Sequence, residues 1–266
     1  MAIAIVQSNN PAPASGVQGS TALTGVTAGN ALVLVMTTLD FSGTAVGPIS
    51  TPTDSQGAKV WCNYQPAVVT ASTGDKLAVV FYVFANVGAG SHTVTPGMLG
   101  VAANTQSILT LHEVSGLGPT PIIDGFATAN TVPGASNTSQ VSGTTATLTQ
   151  ASQLALIGVT HSTGTGFAGA GYTAPTGFTQ SNVSNDGTVT APGELAYQIL
   201  SSTSAISATW TFVADATMRG IIGAIATIRD SSTINYSPLS NALWNLSLLD
   251  AGDQDYKSEL TIKRWF

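Results

Sequence analysis

The chain has 266 residues, 7 Lys and Arg against 13 Asp and Glu, and one cysteine. That length carries a core without covalent staples, and a lone Cys62 excludes both an internal disulfide framework and a cysteine-based zinc site. A net charge of −6, with Lys263–Arg264 as the one basic pair, excludes a nucleic-acid footprint, and no stretch approaches the ~20 apolar residues of a membrane helix, so membrane insertion is not expected.

Charged residues make up only 8% of the chain, against about 25% in an average globular domain, so solubility rests on Ser, Thr, Asn and Gln. That habit belongs to extracellular and virion β proteins. The start, MAIAIVQS, has neither a basic head nor a long apolar stretch, so no secretory signal is expected. Together these point to a virion protein made in a host cytoplasm, with an extracellular location as the alternative.

Along the chain, short β-branched segments alternate with Gly/Pro/Ser/Thr/Asn clusters, the pattern of an all-β antiparallel sandwich. Strands are expected at 3–7, 31–38, 59–64, 77–85, 92–95, 108–114, 146–149, 154–160, 195–200, 208–212 and 221–228. The segments repeat in order. NALVLVMTT (30–38) matches SQLALIGVT (152–160), aligning Leu32 with Leu154. TPTDSQGAKVW (51–61) matches TAPTGFT (173–179), and KLAVVFYVF (76–84) matches ELAYQILSS (194–202), aligning Leu77 with Leu195. GSHTVTP (90–96) matches SATWTF (207–212), and SILTLHEV (107–114) matches GIIGAIATI (220–228), aligning Ile108 with Ile222. These collinear blocks predict an internal duplication over 1–230, with half-units at about 20–116 and 144–230 packed face to face and a crossover at 117–143.

GTGFAGAG (164–171) contains Gly-x-Gly-x-x-Gly after an apolar strand, but TAPTGFTQ follows and its Pro and Gly end any helix. It reads as a loop, not a phosphate cradle, and no cofactor is expected. No Gly-x-Ser-x-Gly elbow exists, and His92, His112 and His161 are isolated from one another and from metal-ligand spacing. His112 and Glu113 are neighbours on one strand and point to opposite faces. Glu113 and Glu194, the only glutamates before the tail, fall on different strands of the repeat, while Asp124 and Asp215 have no evident companion. The tail acids Asp250, Asp253, Asp255 and Glu259 depart from the spacing of a calcium hand and read as surface acids. No catalytic or metal residue is named, and a non-enzymatic protein is expected. Trp61, Tyr64, Tyr172 and Phe178 are candidates for a stacking platform, with core packing the alternative for Trp61; Phe167, Tyr172 and Phe178 mark the ligand-facing loops.

After Asp230 the chain changes character: SPLSNALWNLSLLDAG suits a short helix and SELTIKRWF alternates like a strand. This α/β appendage, 231–266, is too short to fold alone. Its expected assembly interface is Tyr236, Leu243, Trp244, Leu248, Tyr256, Ile262, Trp265 and Phe266.

One further pattern joins Thr51, Asp54, Gly57 and Trp61, the aromatic strand 81–84, then Asn86, Val87, Ala89, Gly90, Thr93, Val94 and Thr95, then Glu113, Ser115, Gly116 and Leu117. Over about 20–230 the chain resembles a family of uncharacterised phage and prophage β proteins. The resemblance implies a jelly-roll-like sandwich displayed on a virion as head decoration, head fibre or tail component, without catalytic residues. The partners expected on that basis are other virion proteins and further copies of the chain, a trimer being favoured, and a host surface glycan. The alternatives are a carbohydrate-binding or adhesive module and a self-assembling extracellular filament subunit.

Overall fold

The apolar segments between turn clusters are strands in the computed structural model, which describes residues 2–12, 14–15, 19–40, 51–64, 69–70, 75–97, 105–131, 138–163, 171–184, 193–213 and 218–230. The appendage at 231–266, with all eight of its expected interface residues, lies outside the described residues, as does Phe167.

The first half runs β1 (Ala4–Asn9), β2 (Ala14–Ser15), β3 (Thr21–Val26), β4 (Ala31–Asp40), β5 (Thr53–Asp54), β6 (Val60–Tyr64), β7 (Val69–Thr70), β8 (Lys76–Phe84), β9 (Gly90–Thr95) and β10 (Thr105–Ser115). The second runs β11 (Pro121–Thr131), β12 (Ser139–Thr144), β13 (Ser152–Thr163), β14 (Thr179–Ser184), β15 (Gly193–Ser201), β16 (Ser207–Thr211) and β17 (Met218–Asp230).

All pairing is antiparallel, and the two halves have the same topology. One large sheet has the order β1-β10-β4-β8-β6, with β2 on β10 and β7 on β8; the other has β11-β17-β13-β15-β14. A small sheet accompanies each: β3-β9-β5 in the first half, and β12-β16 extended by the bridge Thr173↔Thr211 in the second. With the two-residue β2 and β7 set aside, in each half the first strand pairs with the last, the second with the second-last and the third with the third-last. That winding is a jelly roll.

The duplication is therefore larger than the sequence match implies. The expected crossover, 117–143, is corrected: it contains β11, the second copy's equivalent of β1, and most of β12. Its Gly, Thr and Asn content disguised two half-exposed strands, PIIDGFATANT and SQVSGT. The expected strand at 146–149 is not formed; those residues make a turn whose Leu148 N–H donates to Thr203 O.

The ladders give the true correspondence between copies. Thr37 faces Ile108 and Val79, and Thr160 faces Ile222 and Gly193. In this register the bulge between Ile5 and Gln7 falls on the bulge between Ile123 and Gly125. The sequence match of Ile108 with Ile222 is kept. Leu195 corresponds to Phe81 rather than Leu77, a shift that keeps the same face. Leu154 cannot correspond to Leu32, because Leu32 packs on the outer side of its sheet and Leu154 on the inner side. A one-residue slip in a strand exchanges faces.

The layers follow from those faces. Val33, Val35, Phe81 and Val83 of one large sheet pack against Leu154, Leu156, Leu195 and Ala224 of the other in a shared central core. The alternate residues Leu32, Leu34, Met36, Val80, Tyr82 and Phe84 meet Leu23, Val26 and Val94 under the first small sheet. Ile157, Val159, Ile221 and Ile225 meet Ala208 and Trp210 under the second. Each large sheet is thus buried on both sides. That is why its strands read as unbroken apolar runs, a pattern more usual in parallel sheets.

The central interface is tightest at Gly158. A Cβ there would lie 2.6 Å from Val79 Cγ1 and 3.1 Å from Leu195 Cδ2. Its counterpart in the first copy is Val35, so one sheet fills the gap that the other leaves. Gly158→Val is expected to cost about 2 kcal/mol in denaturant unfolding through overpacking, and Val79→Ala in the same chain is expected to return part of that loss.

Candidate functional site

Ionisable side chains in this protein are scarce, and several of those described hold turns. Glu113, on the outer face of β10, accepts from Thr27 N at 2.8 Å, Asn30 Nδ2 at 2.6 Å and Gln7 Nε2 at 2.6 Å. Asp124, in the bulge of β11, accepts from Thr149 N at 2.7 Å, Gln153 Nε2 at 2.6 Å and Arg229 Nε at 2.9 Å, and also from Thr149 Oγ1. Asn30 and Gln153 occupy equivalent positions. In each copy one carboxylate ties the turn before β4 or β13 to a neighbouring strand, β10 in the first copy and β11 in the second. Burial acts to raise both pKa values, but the donated hydrogen bonds outweigh it and hold both below the usual carboxylate range. The expectation that Asp124 is unaccompanied is corrected: its Arg229 partner lies far away in sequence.

The histidines are separate, as their spacing implies. His92 Nδ1 lies 3.0 Å from both oxygens of Asp54, and its Nε2 lies 3.0 Å from Gly88 O. Asp54 also accepts from Gln56 N and Ala58 N, each at 3.1 Å, so this pair fixes the tight turn after β5. His112 points the other way from Glu113, into the central layer, where Ser8 Oγ and Ser181 Oγ flank its ring nitrogens at 2.6 and 3.3 Å. Burial lowers its pKa to about 4. Cys62 is half-buried, and burial pushes its thiol up to about 11 against a smaller opposing effect of a hydrogen bond with the Ile123 backbone. At neutral pH it is a thiol, which is a poor nucleophile.

Glu113 and Glu194 cannot form a glycosidase pair. Glu113 lies on the outer face of the first large sheet, and Glu194 shares the outer face of the second with Ala196. Both sheets stand between them, far beyond the about 5–9.5 Å that such a pair requires.

The second copy has a buried polar cluster that the first lacks. Tyr172 and His161 share a short hydrogen bond through the phenol oxygen and Nδ1, and the Phe212 ring packs on both, at centroid distances of 5.5 and 6.1 Å. Glu194 is fully buried, with the Gln180 side chain as a polar neighbour among the described residues. Burial raises its pKa to about 7, with Gln180 offsetting part of the rise. Burial, and then the Glu194 charge, raise the Tyr172 phenol well above its ordinary range. The registers place Glu194 on Val80 and His161 on Thr38, so these groups occupy ordinary core positions of the first copy.

The expected ligand-facing loops are corrected at Tyr172. It is 5% exposed and belongs to the outer core of the second copy, where it satisfies His161. Phe178 is half-buried against the same core. Trp61 departs from the core-packing alternative and is 54% exposed. Tyr64 is half-buried, and its ring lies 4.4 Å from that of Phe126, which is 58% exposed. Phe126 was missed because it sits in the segment read as a crossover. Recognising the strand pattern Phe126, Thr128, Asn130 would have found it. Among the described residues, no group of three His, Cys, Asp or Glu side chains is placed to hold a metal ion.

The chain matches no family model, no curated protein and no solved structure.

The exposed consequence of the buried cluster is a pH dependence. Glu194 has its folded pKa raised from 4.5 to about 7, so the native chain keeps a proton that the unfolded chain releases. Its contribution is harmless below the unfolded value, becomes a cost as pH rises, and is complete above the folded value. His112 has the opposite sign: its cost grows as pH falls from 6.5 towards about 4. Comparing Glu194→Gln with the parent isolates the first effect. The variant is expected to match the parent near pH 4.5 in thermal unfolding and to be more stable by about 2 kcal/mol at pH 8.

Proposed function

We propose that this protein is a non-enzymatic structural component of a phage particle, displayed on its surface as a head decoration, head fibre or tail component. The observation that carries the reading is the tandem jelly roll welded by one shared apolar core, in which Glu113, Asp124 and the Asp54–His92 pair hold turns. Such a body resists unfolding without disulfides or metals. Its low charge leaves an exterior of hydroxyls and amides suited to display outside a cell.

The protein acts as a homo-oligomer, a trimer being favoured, attached to other virion proteins. The aromatic tail, 231–266, is the proposed connector, through Trp244, Tyr256, Trp265, Phe266 and their neighbours. An adhesive module or a filament subunit is the alternative.

Mass spectrometry of purified particles tests the reading. The chain is expected there in many copies, and its absence overturns the proposal. Light scattering of the isolated protein is expected to give about three times the 26.9 kDa chain mass. Deleting 236–266 is expected to reduce it to one chain while leaving the thermal transition of the sandwich in place; an unchanged mass removes the tail from assembly.

A further inference from the structure

The central interface opens to the surface at two pseudo-equivalent mouths, and they are built very differently. By register, Asn182 of β14 and Ser8 of β1 at one are the counterparts of Tyr64 of β6 and Phe126 of β11 at the other. The first mouth is sealed by hydrogen bonds. Asn182 Nδ2 donates to Pro11 O at 3.0 Å and Leu109 O at 2.7 Å, and Ser8 and Ser181 hold His112. Small polar residues are therefore enough to close this position.

The second mouth has aromatic rings in place of those small groups. Tyr64 stacks between Phe81, at 6.0 Å, and Phe126, at 4.4 Å, while more than half of Phe126 remains in contact with solvent. Trp61 lies on the same edge strand, in the bulge between Val60 and Cys62 that turns its side chain outward. Elsewhere among the described residues, the large rings of Trp210, Tyr82 and Phe84 are fully buried. A large exposed aromatic surface is more informative than an exposed aliphatic residue, because leaving it in water forfeits the most burial energy.

The surroundings select the ligand. Thr128 and Asn130 on β11 are exposed and share the face of Phe126. Among the described residues, Lys59 is the exposed cation on the approach to β6, and no run of cations of the kind that accompanies base stacking on single-stranded nucleic acid lies on β6 or β11. Neutral amides and hydroxyls beside bare ring faces complement an uncharged, hydroxyl-bearing ring with an apolar face. We propose that Trp61, Tyr64 and Phe126 form a binding ledge for a neutral polysaccharide, with pyranose faces stacking on the rings and Thr128 and Asn130 bonding to sugar hydroxyls. The inference does not depend on where the protein is displayed, and particle mass spectrometry and glycan binding can fail separately.

Native electrophoresis of the full chain through gels containing dextran, mannan, starch or a galactan tests the ledge. At least one polysaccharide is expected to retard the protein. Trp61→Ala and Phe126→Ala are each expected to weaken that retardation by about tenfold or more in apparent affinity. Val213→Ala, which trims an exposed apolar side chain elsewhere, is expected to leave it unchanged. Unaltered thermal midpoints in the ledge variants would show that the fold survives. Migration unaffected by all four polysaccharides, or retardation equal in the ledge variants and the parent, overturns the proposal. So does dissociation of the parent oligomer by either ledge substitution, which would make the ledge a contact between copies.

Discussion

Both large sheets are buried on both faces, and the rest of the molecule follows from that constraint. A strand in such a position has no solvent side, so β4, β8, β13 and β17 carry apolar residues at successive positions. Each fully buried Val, Leu or Phe contributes about 1.5–3 kcal/mol of burial, which makes the layers cohesive without disulfides. Dense packing also restricts volume. The paired positions Val35 and Gly158 show it, since a side chain at the second would occupy space already held by Val79. Backbone groups at the ends of buried strands still need partners. Glu113 and Asp124 supply acceptors there, stabilising turns that would otherwise fray.

Because the chain is duplicated, it contains its own comparison. The turns before β4 and β13 each need one acceptor, and the copies place it on different strands, as Glu113 and as Asp124. The tight turn after β5 uses Gly57 in a left-handed conformation, and the matching turn uses Gly177 in the same conformation, since L side chains are strained there. Those positions express requirements of the scaffold. Where the copies differ without a scaffold reason, something else is selected. The Asn182–Ser8 mouth is sealed with small groups, whereas the Tyr64–Phe126 mouth carries more aromatic surface than closure needs. Glu194 in place of Val80 is the other such difference, and it introduces a buried acid into a position that a valine fills without cost.

Much of the fold was legible because burial writes itself into composition. The strands of the large sheets stand out from their turns, and their repetition identified the duplication. The half-exposed strands were not legible. PIIDGFATANT and SQVSGT contain the same Gly, Thr and Asn that elsewhere make turns, since an edge or covering strand needs apolar residues on one face only. The register between copies was also out of reach in part. Leu32 and Leu154 look interchangeable in the sequence, yet they face different cores.

The site followed the same division. Residue types alone showed that His112 and Glu113 diverge, because adjacent strand residues always do, and that the three histidines do not assemble. Tyr172 appeared to be a loop aromatic, but the bridge Thr173↔Thr211 draws it under the small sheet to meet His161. Asp124 and Arg229 lie at opposite ends of the second copy and meet because β11 pairs with β17. The sequence by itself determined the all-β class and the duplication, both of which depend on local pattern and composition. Only the tertiary structure decided which faces are buried, which carboxylates hold turns and which aromatics reach water. Those outcomes depend on antiparallel pairings between residues about a hundred positions apart, and strand alternation fixes only that two faces exist, not what covers each.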